Sequence, residues 1–572
     1  MAVEGLAGER IYPAVAGPHA VARPVSFVTV RFSGDLAHNL LRSECVRDPA
    51  NQLVVVDNRH NLLHDTLGQA IEQGVARARH DLVVVVHEDV LLPAGWQPAL
   101  ERSLLALDRH DPDWAVAGVA GWRDDGSMHG HWSDPHGYYD LLQGHPFAEV
   151  DRIDEHLIAF RRRRRIVFDP RLPSIHNIGR DLAQTAQRHG RRVYVVNAPT
   201  IHKFADSQGR RIRCKADSPK IAARETLTYA ADLACSDRYL QRKWANDRPG
   251  VVPAAAPASV REGSDRLSTP IVLLARGGGG SRLLSVLAAD AGVFMGSRLN
   301  PSGDAVDMVQ PVYRTVLARH RYADSGLVPE FVREMRLGAM RLLGDGGETG
   351  AWGFKLPEAL LVLDEILEAF PQARFVHMVR DPLATCLRRT HMTARFDNQV
   401  GQASLLAAYR ALGRDPRQLA NDPEAVRMAV TTVHQVGGAL DWTRALPPER
   451  LLQIRFEDVL RDPGGILAQL GAWLGSATAG EAAARRPQGG PGHAGVPAAI
   501  FSAVDPGRAA HPSVVHPPLV VRQVAGLLQP LRQRLGYHLE DPERTDPDQA
   551  LRERTRPRSA IGLAINPGRA GP

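Results

Sequence analysis

Lysine is nearly absent from this chain. Of its 572 residues, 70 are lysine or arginine, and only Lys203, Lys215, Lys220, Lys243 and Lys355 are lysine. Arginine makes up the rest, and its planar fork suits bidentate binding of phosphate and sulfate. Cysteine is scarce as well. Cys45, Cys214, Cys235 and Cys386 stand far apart and form no CxxC pair, which argues against a disulfide framework or zinc site and fits a reducing compartment. No run of about 18 apolar residues occurs, so no membrane span is predicted, and the N-terminus lacks the apolar stretch of a signal peptide. A soluble, cytoplasmic protein is expected, with any membrane contact peripheral. The formal charge of +7 is scattered rather than gathered into one stripe, which argues against nucleic acid as a partner.

What is present divides into two α/β halves, because a chain this long exceeds one ordinary core. Val25–Val30, Leu53–Val56, Leu82–Val86 and Trp114–Gly118 read as strands, with helical spacing over Leu67–Arg79 and Trp96–His110 between them. That alternation predicts a mainly parallel sheet with ligands at the carboxyl ends of its strands. Asp57-Asn58 and His87-Glu88-Asp89 would then share one rim. Carboxylates behind four valines call for a cation or a nucleotide, and Mg2+ or Mn2+ bridging to a diphosphate is the economical reading. Residues 1–22 are expected to be flexible, 23–245 to form the first domain, 246–268 a linker, 269–540 the second domain and 541–572 a disordered tail.

The second half opens on an apolar strand, Ile271–Ala275, followed by Gly277, Gly278, Gly279 and Gly280 and then a helix beginning at Ser281. Strand, glycine loop and helix present backbone N–H groups and a positive helix end to phosphate. Arg276 and Arg282 flank the loop as charged donors. The Walker spacing is absent, with no loop lysine, which speaks against a nucleotide kinase. A long helical stretch is predicted over Pro311–Leu343. A further strand, Arg374–Val379, delivers Arg380, so two phosphate-binding features stand at two strand ends. Lys355 is the only lysine after position 243. Between Gly353-Phe354 and Leu356-Pro357 it reads either as a solvated surface lysine or as an ammonium stabilising charge on a transferring group.

These stretches carry two resemblances. VVVDN at 54–58, AIEQGVARARHDLVVVVHEDVLLPAGW at 70–96 and IHNIGRDLAQTAQRHGRRVYVVNAPTIHKF at 175–204 resemble family 2-like glycosyltransferases of the GT-A fold, a Rossmann-like nucleotide-sugar fold. The resemblance implies a nucleotide-diphosphate sugar held by Asp57 and Asn58, and a divalent ion held by Asp89 and His202. It leaves His87 as a further ligand or a shaping residue. Asp181 would be the catalytic base, and Asp154-Glu155 would line the acceptor side. Trp122, Trp132 and the arginines from 161 to 165 are either structural or in contact with the acceptor.

RGGGGSRLL at 276–284, FPQARFVHMVRDPLATCLRR at 370–389 and RFEDVLRDPGGILAQLGAWLG at 455–475 resemble sulfotransferases that use 3′-phosphoadenosine 5′-phosphosulfate (PAPS). The resemblance implies that Arg276, Gly277–Ser281 and Arg282 bind the 5′-phosphosulfate and that Arg380, with Arg388, binds the 3′-phosphate. Lys355 would act at the sulfuryl group, and Asp304, in preference to Asp307, would be the base. His511 and His516 fall in a Pro-rich segment suited to an acceptor lid. Together the two resemblances imply a bifunctional transferase acting on a glycan or glycolipid acceptor. The alternative is a sulfotransferase whose first half, with His87 and Arg180 departing from the usual acids, is a non-catalytic glycan-binding module.

Overall fold

A computed structural model of the chain describes residues 23–164, 167–214, 217, 226–245, 267, 269–344, 350–388, 390–475 and 516–537. The expectations for residues 1–22, for His511, for the linker apart from Leu267 and for the tail lie outside the described residues.

The first half is built on seven strands: β1 (Val25–Arg31), β2 (Gln52–Asp57), β3 (Leu82–Val86), β4 (Val116–Gly118), β5 (Phe147–Val150), β6 (Leu157–Arg161) and β7 (Val193–Val196). Their order is β2-β1-β3-β6-β4-β7-β5. β1 runs parallel to β2 and β3, and β7 parallel to β4. β6 is antiparallel to both its neighbours, and β5 is antiparallel to β7. The sheet is therefore mixed rather than mainly parallel. The cause is local: β6 is reached through a β-excursion over residues 120–153 instead of a crossover helix, and only parallel pairing requires the crossover. β3 is buried along its whole length, as its unbroken valines require. Val83 and Val85 pack with Ile71 and Val75 on one face, while Val84 and Val86 pack with Trp96 and Leu100 on the other.

Apart from β5, the strands of the excursion belong to a second, smaller sheet. In it Met128–Asp134 pairs with Ala120–Trp122 and with Thr200–His202. Thr200–His202 also pairs antiparallel with Val90–Leu91, His202 opposite Val90. This register carries His202 back to the end of β3.

The second half holds β8 (Ile271–Ala275), β9 (Gly353–Lys355), β10 (Arg374–Val379) and β11 (Leu451–Arg455), all parallel in the order β9-β8-β10-β11. The single helical stretch predicted over Pro311–Leu343 is two helices, Val306–His320 and Val328–Leu343. A turn over Ala323–Ser325 separates them, closed by Gly326 at φ 66°, a backbone region that glycine enters without a Cβ penalty.

The halves are fused rather than strung. Helix Leu227–Lys243 of the first half packs on Val306–His320 of the second, and Ala231, Cys235 and Tyr239 join Val312 and Val316 in one apolar cluster. Tyr322 Oη donates to the buried Asp232 carboxylate at 2.6 Å, and Arg238 pairs with Glu334 at 2.9 Å. Near β2, the His60 ring lies 4.3 Å from that of Phe396.

Candidate functional site

In the first half the end of β3 and the Thr200–His202 strand bring His87, Asp89 and His202 together. His202 Nε2 lies 3.3 Å from Asp89 Oδ1, and one donor atom from each of the three residues falls within 4.8 Å of the others. Two adjacent ligands about 2.1 Å from one ion stand roughly 3 Å apart, a spacing that the His202–Asp89 pair meets. Burial takes the His87 imidazole down to about 3, with Asp89 opposing it, and lowers His202 in the same direction. Both rings are therefore neutral near pH 7, the form that ligates. His156, which sequence reasoning passed over, stacks on His202 with centroids 5.2 Å apart and planes at 9°. Its Nδ1 lies 2.6 Å from Asp154 Oδ1 and its Nε2 3.1 Å from Thr200 Oγ1. Burial opposes the charge on Asp154, but the adjoining His156 ring outweighs it and holds the carboxyl well below the usual range.

The other residues expected in this half are placed differently. Asp57 ends β2 and is half exposed, with the Arg59 guanidinium bonded to it at 2.9 Å. The Asn58 side chain is engaged by its own loop: its Oδ1 accepts from the N–H groups of Leu63 and His64 at 3.0 and 2.9 Å. It shapes the loop rather than offering itself to a nucleotide. Asp181 is not brought into the His87 group. It is buried, and its carboxylate accepts from Lys243 Nζ at 2.8 Å and Trp244 Nε1 at 2.9 Å. Burial pushes its carboxyl up, with Lys243 opposing. A general base must reach the attacking hydroxyl, and here both Asp181 oxygens are already taken, one by Lys243 and one by Trp244, in a buried setting. Glu155 instead stands beside His176, at 3.3 Å. Trp132 is buried and stacked on Tyr139, and Trp122 lies under Arg152. Arg161 is buried against Asp108 at 2.8 Å, so the arginine run begins as a structural pair. A cavity of about 470 Å³ opens beside the Asp181 helix, lined by Arg152, Arg180, Gln184, Arg188 and Trp244 among others, and contains none of the predicted site residues.

The second site is organised around the glycine loop. Gly280, at φ 99°, caps the helix Ser281–Asp290, and a Cβ there would stand 2.4 Å from the Phe456 ring. Only glycine meets both demands. A Cβ on Gly277 would meet the His391 ring at 2.0 Å, so the imidazole lies directly on the loop. Arg276 corrects the prediction. Its guanidinium is buried and donates to Thr393 at 2.7 Å, Thr431 at 2.8 Å and Thr432 at 3.2 Å. Burial brings it down to about 10. It ties the loop to the body of the half instead of presenting itself to a phosphate. Arg380 does reach the loop, its Nη1 lying 3.4 Å from the Gly278 carbonyl and its guanidinium 4.3 Å above the Phe456 ring. Burial lowers Arg380, and the neighbouring Arg388 adds to the effect.

Lys355, at the end of β9, is buried rather than solvated. Its Nζ donates to Asp304 Oδ1 at 2.5 Å and to the Ser302 carbonyl at 2.7 Å. Burial lowers the ammonium while Asp304 opposes, and Arg282 lies near enough to lower it further. Asp304 rather than Asp307 is the partner, since Asp307 pairs with Arg298 at 3.0 Å. Sequence reasoning missed Glu358, a buried acid one turn past Lys355 that burial pushes up to about 7. Its Oε1 lies 3.9 Å from His391 Nε2. The signal for it was present, a lone acid before the apolar run Ala359–Val362; none marked His391. His516 bonds the Leu387 carbonyl at 3.1 Å, outside this group. Among the described residues no helix is long and apolar enough to cross a membrane.

Residues 301–479 match the model of the sulfotransferase family. A protein of Fuscovulum blasticum named ATP synthase subunits region ORF 6 is 31% identical over 151 residues, 25% of this chain. The chain spans 60% of that relative's length. Similar solved structures include the sulfotransferase domain of the Synechococcus PCC 7002 olefin synthase, 17% identical over 47% of this chain and 95% of that one, with a TM-score of 0.24. A sulfotransferase of Mycobacterium avium is 14% identical over 56% and 88%, at 0.29. A mannosyltransferase of Pyrobaculum calidifontis in complex with GDP-Man and Mn2+ is 15% identical over 41% and 68%, at 0.24. At TM-scores this low the structural likenesses say nothing about function.

Proposed function

We propose that the second half transfers a sulfuryl group from PAPS to a hydroxyl of a glycan or glycolipid. The observation that carries this reading is the buried Lys355 paired with the partly exposed Asp304 beside a glycine loop, within a segment that matches the sulfotransferase family. The N–H groups of Gly277–Ser281 and the start of the following helix receive the 5′-phosphosulfate, and Arg380 with Arg388 receives the 3′-phosphate. Asp304 takes the acceptor's proton as its oxygen bonds to sulfur. The bond from sulfur to the bridging oxygen breaks, leaving a bisphosphate whose new charge Lys355 and the loop stabilise. The test is transfer of labelled sulfuryl to glycan acceptors by the full chain and by Lys355→Ala. Calorimetry with ATP and with the phosphosulfate donor separates this reading from a kinase, and tight ATP binding alone would overturn it.

For the first half we propose glycosyl transfer from a nucleotide-diphosphate sugar, with His87, Asp89 and His202 holding a divalent ion. A bound cation there supplies charge neutralisation of the departing diphosphate. Asp57 faces the nucleotide, and Glu155, expected on the acceptor side, takes the base role expected of Asp181. The non-catalytic alternative keeps one specific support, the enclosure of Asp181 by Lys243 and Trp244. Metal-dependent turnover of nucleotide sugars by the full chain, lost in Asp89→Ala, decides between them. The cytoplasmic placement and the linker over 246–268 are part of the same proposal.

A further inference from the structure

We propose that the His87–Asp89–His202 site selects a late first-row dication, Zn2+ or Co2+ ahead of Mn2+, and discriminates against Mg2+. The inference rests on the first-half reading only for the presence of a cation; the preference comes from the donors.

Two of the three donors are imidazole nitrogens, and only Asp89 offers a carboxylate oxygen. Mg2+ demands near-octahedral oxygen ligands and sheds water reluctantly, whereas imidazole favours Zn2+, Co2+ and their neighbours in the Irving–Williams order. The other acids nearby do not restore an oxygen site. Glu88 falls outside the three-donor group and is held by Ser33, its Oε1 accepting from the Ser33 N–H at 2.6 Å and from Ser33 Oγ at 2.7 Å. Asp154 is bonded to both the N–H and the ring of His156. His156 in turn has both ring nitrogens engaged, so it holds the His202 plane by stacking rather than joining as a ligand. Outer partners of this kind fix ligand orientation. The Lys203 N–H, donated to the Asp89 carbonyl at 2.6 Å, holds the two ligand-bearing segments in register.

The experiment uses the full chain, stripped by chelator, titrated by calorimetry with ZnCl2, CoCl2, MnCl2 and MgCl2 alone, with Co2+ also read by its visible absorption. One Zn2+ or Co2+ is expected to bind per chain, Mn2+ more weakly, and Mg2+ in 100-fold excess should fail to displace any of them. His202→Ala should weaken Zn2+ binding at least about tenfold and abolish the Co2+ band, while His87→Asp should move the preference toward Mg2+. Thermal melts of each variant report folding, and if His202→Ala does not fold, His87→Asp carries the test. Mg2+ displacing Mn2+ at comparable concentration, or Zn2+ affinity unmoved in both variants, overturns the inference. Nucleotide-sugar turnover is scored separately. Selective metal binding without turnover keeps this inference and removes sugar transfer; turnover supported by Mg2+ alone does the reverse.

Discussion

The two candidate sites assemble by opposite routes. In the second half the core of the site is one continuous motif: β8 runs into its glycine loop and helix, and parallel strands beside it deliver Lys355 and Arg380. In the first half His87 and Asp89 meet His202 only because a strand more than a hundred residues away pairs antiparallel beside them. A local motif keeps its geometry through residue changes, because backbone N–H groups do the binding. A cluster built from distant side chains depends on identity, so an imidazole in place of a carboxylate changes what it holds. The sharpest break of this comparison is Lys355→Ala. Sulfuryl transfer should fall roughly 10²–10³-fold, while metal binding in the first half stays within error. Loss of both would mean that the sites are not separate devices.

Gly277→Ala probes the backbone claim. The added methyl would stand 2.0 Å from the His391 ring, so the imidazole and the loop must separate. Affinity for the phosphosulfate donor should drop at least about 100-fold, the equivalent of roughly 3 kcal/mol of lost contact. His391→Gly in the same chain should recover part of it by clearing the space. A Gly277→Ala chain that binds the donor normally, by calorimetry, would show that the loop does not cradle it.

Much of this was legible in the sequence for a physical reason. Unbroken valines dictate β3, four glycines dictate a loop, and the only lysine after position 243 in an arginine-rich chain marks Lys355. What was not legible required three dimensions. Arg276 has the composition of a phosphate ligand, yet Thr393, Thr431 and Thr432 lie more than a hundred residues away and enclose it. Asp181 sits in the stretch that resembles a catalytic helix, but Lys243, at the end of another helix, reaches it. The short run Leu157–Arg161 was not read as a strand, and strand periodicity carries no direction that would have marked β6 as antiparallel.

Glu358 offers a pH test between the halves. Its carboxyl stands at about 7 in the fold against 4.5 as reference, with burial as the leading cause. The folded protein therefore holds a proton that the unfolded chain releases. Stability is greatest below pH 4.5 as far as this group is concerned, and falls as pH rises to about 7. Glu358→Gln should remove that slope and stabilise the protein well above pH 7 by about 3 kcal/mol. Denaturant titrations at pH 5, 6, 7 and 8 measure it. Donor affinity should also fall through the same window in the wild type, since an ionised Glu358 repels a phosphosulfate, and should be flat in the variant. Metal binding by the first half, measured in parallel, gives the contrast, since Glu358 belongs to the other site. A wild-type slope preserved in Glu358→Gln would assign the titration to another group.

The smallest effect tests the junction. Tyr322 Oη is the donor to Asp232, 2.6 Å away in a buried contact between the halves. Tyr322→Phe removes the hydroxyl and leaves the carboxylate without it, at a cost of about 1–3 kcal/mol. Arg238→Ala, by contrast, breaks a half-exposed pair and should cost under about 1 kcal/mol. If the halves form one body through the shared cluster of Tyr239, Val312 and Val316, Tyr322→Phe should speed hydrogen exchange equally in Leu227–Lys243 and Val306–His320. Faster exchange confined to the first of these helices would mean that the halves open separately, and the packing between them would then be a docking contact rather than a common core.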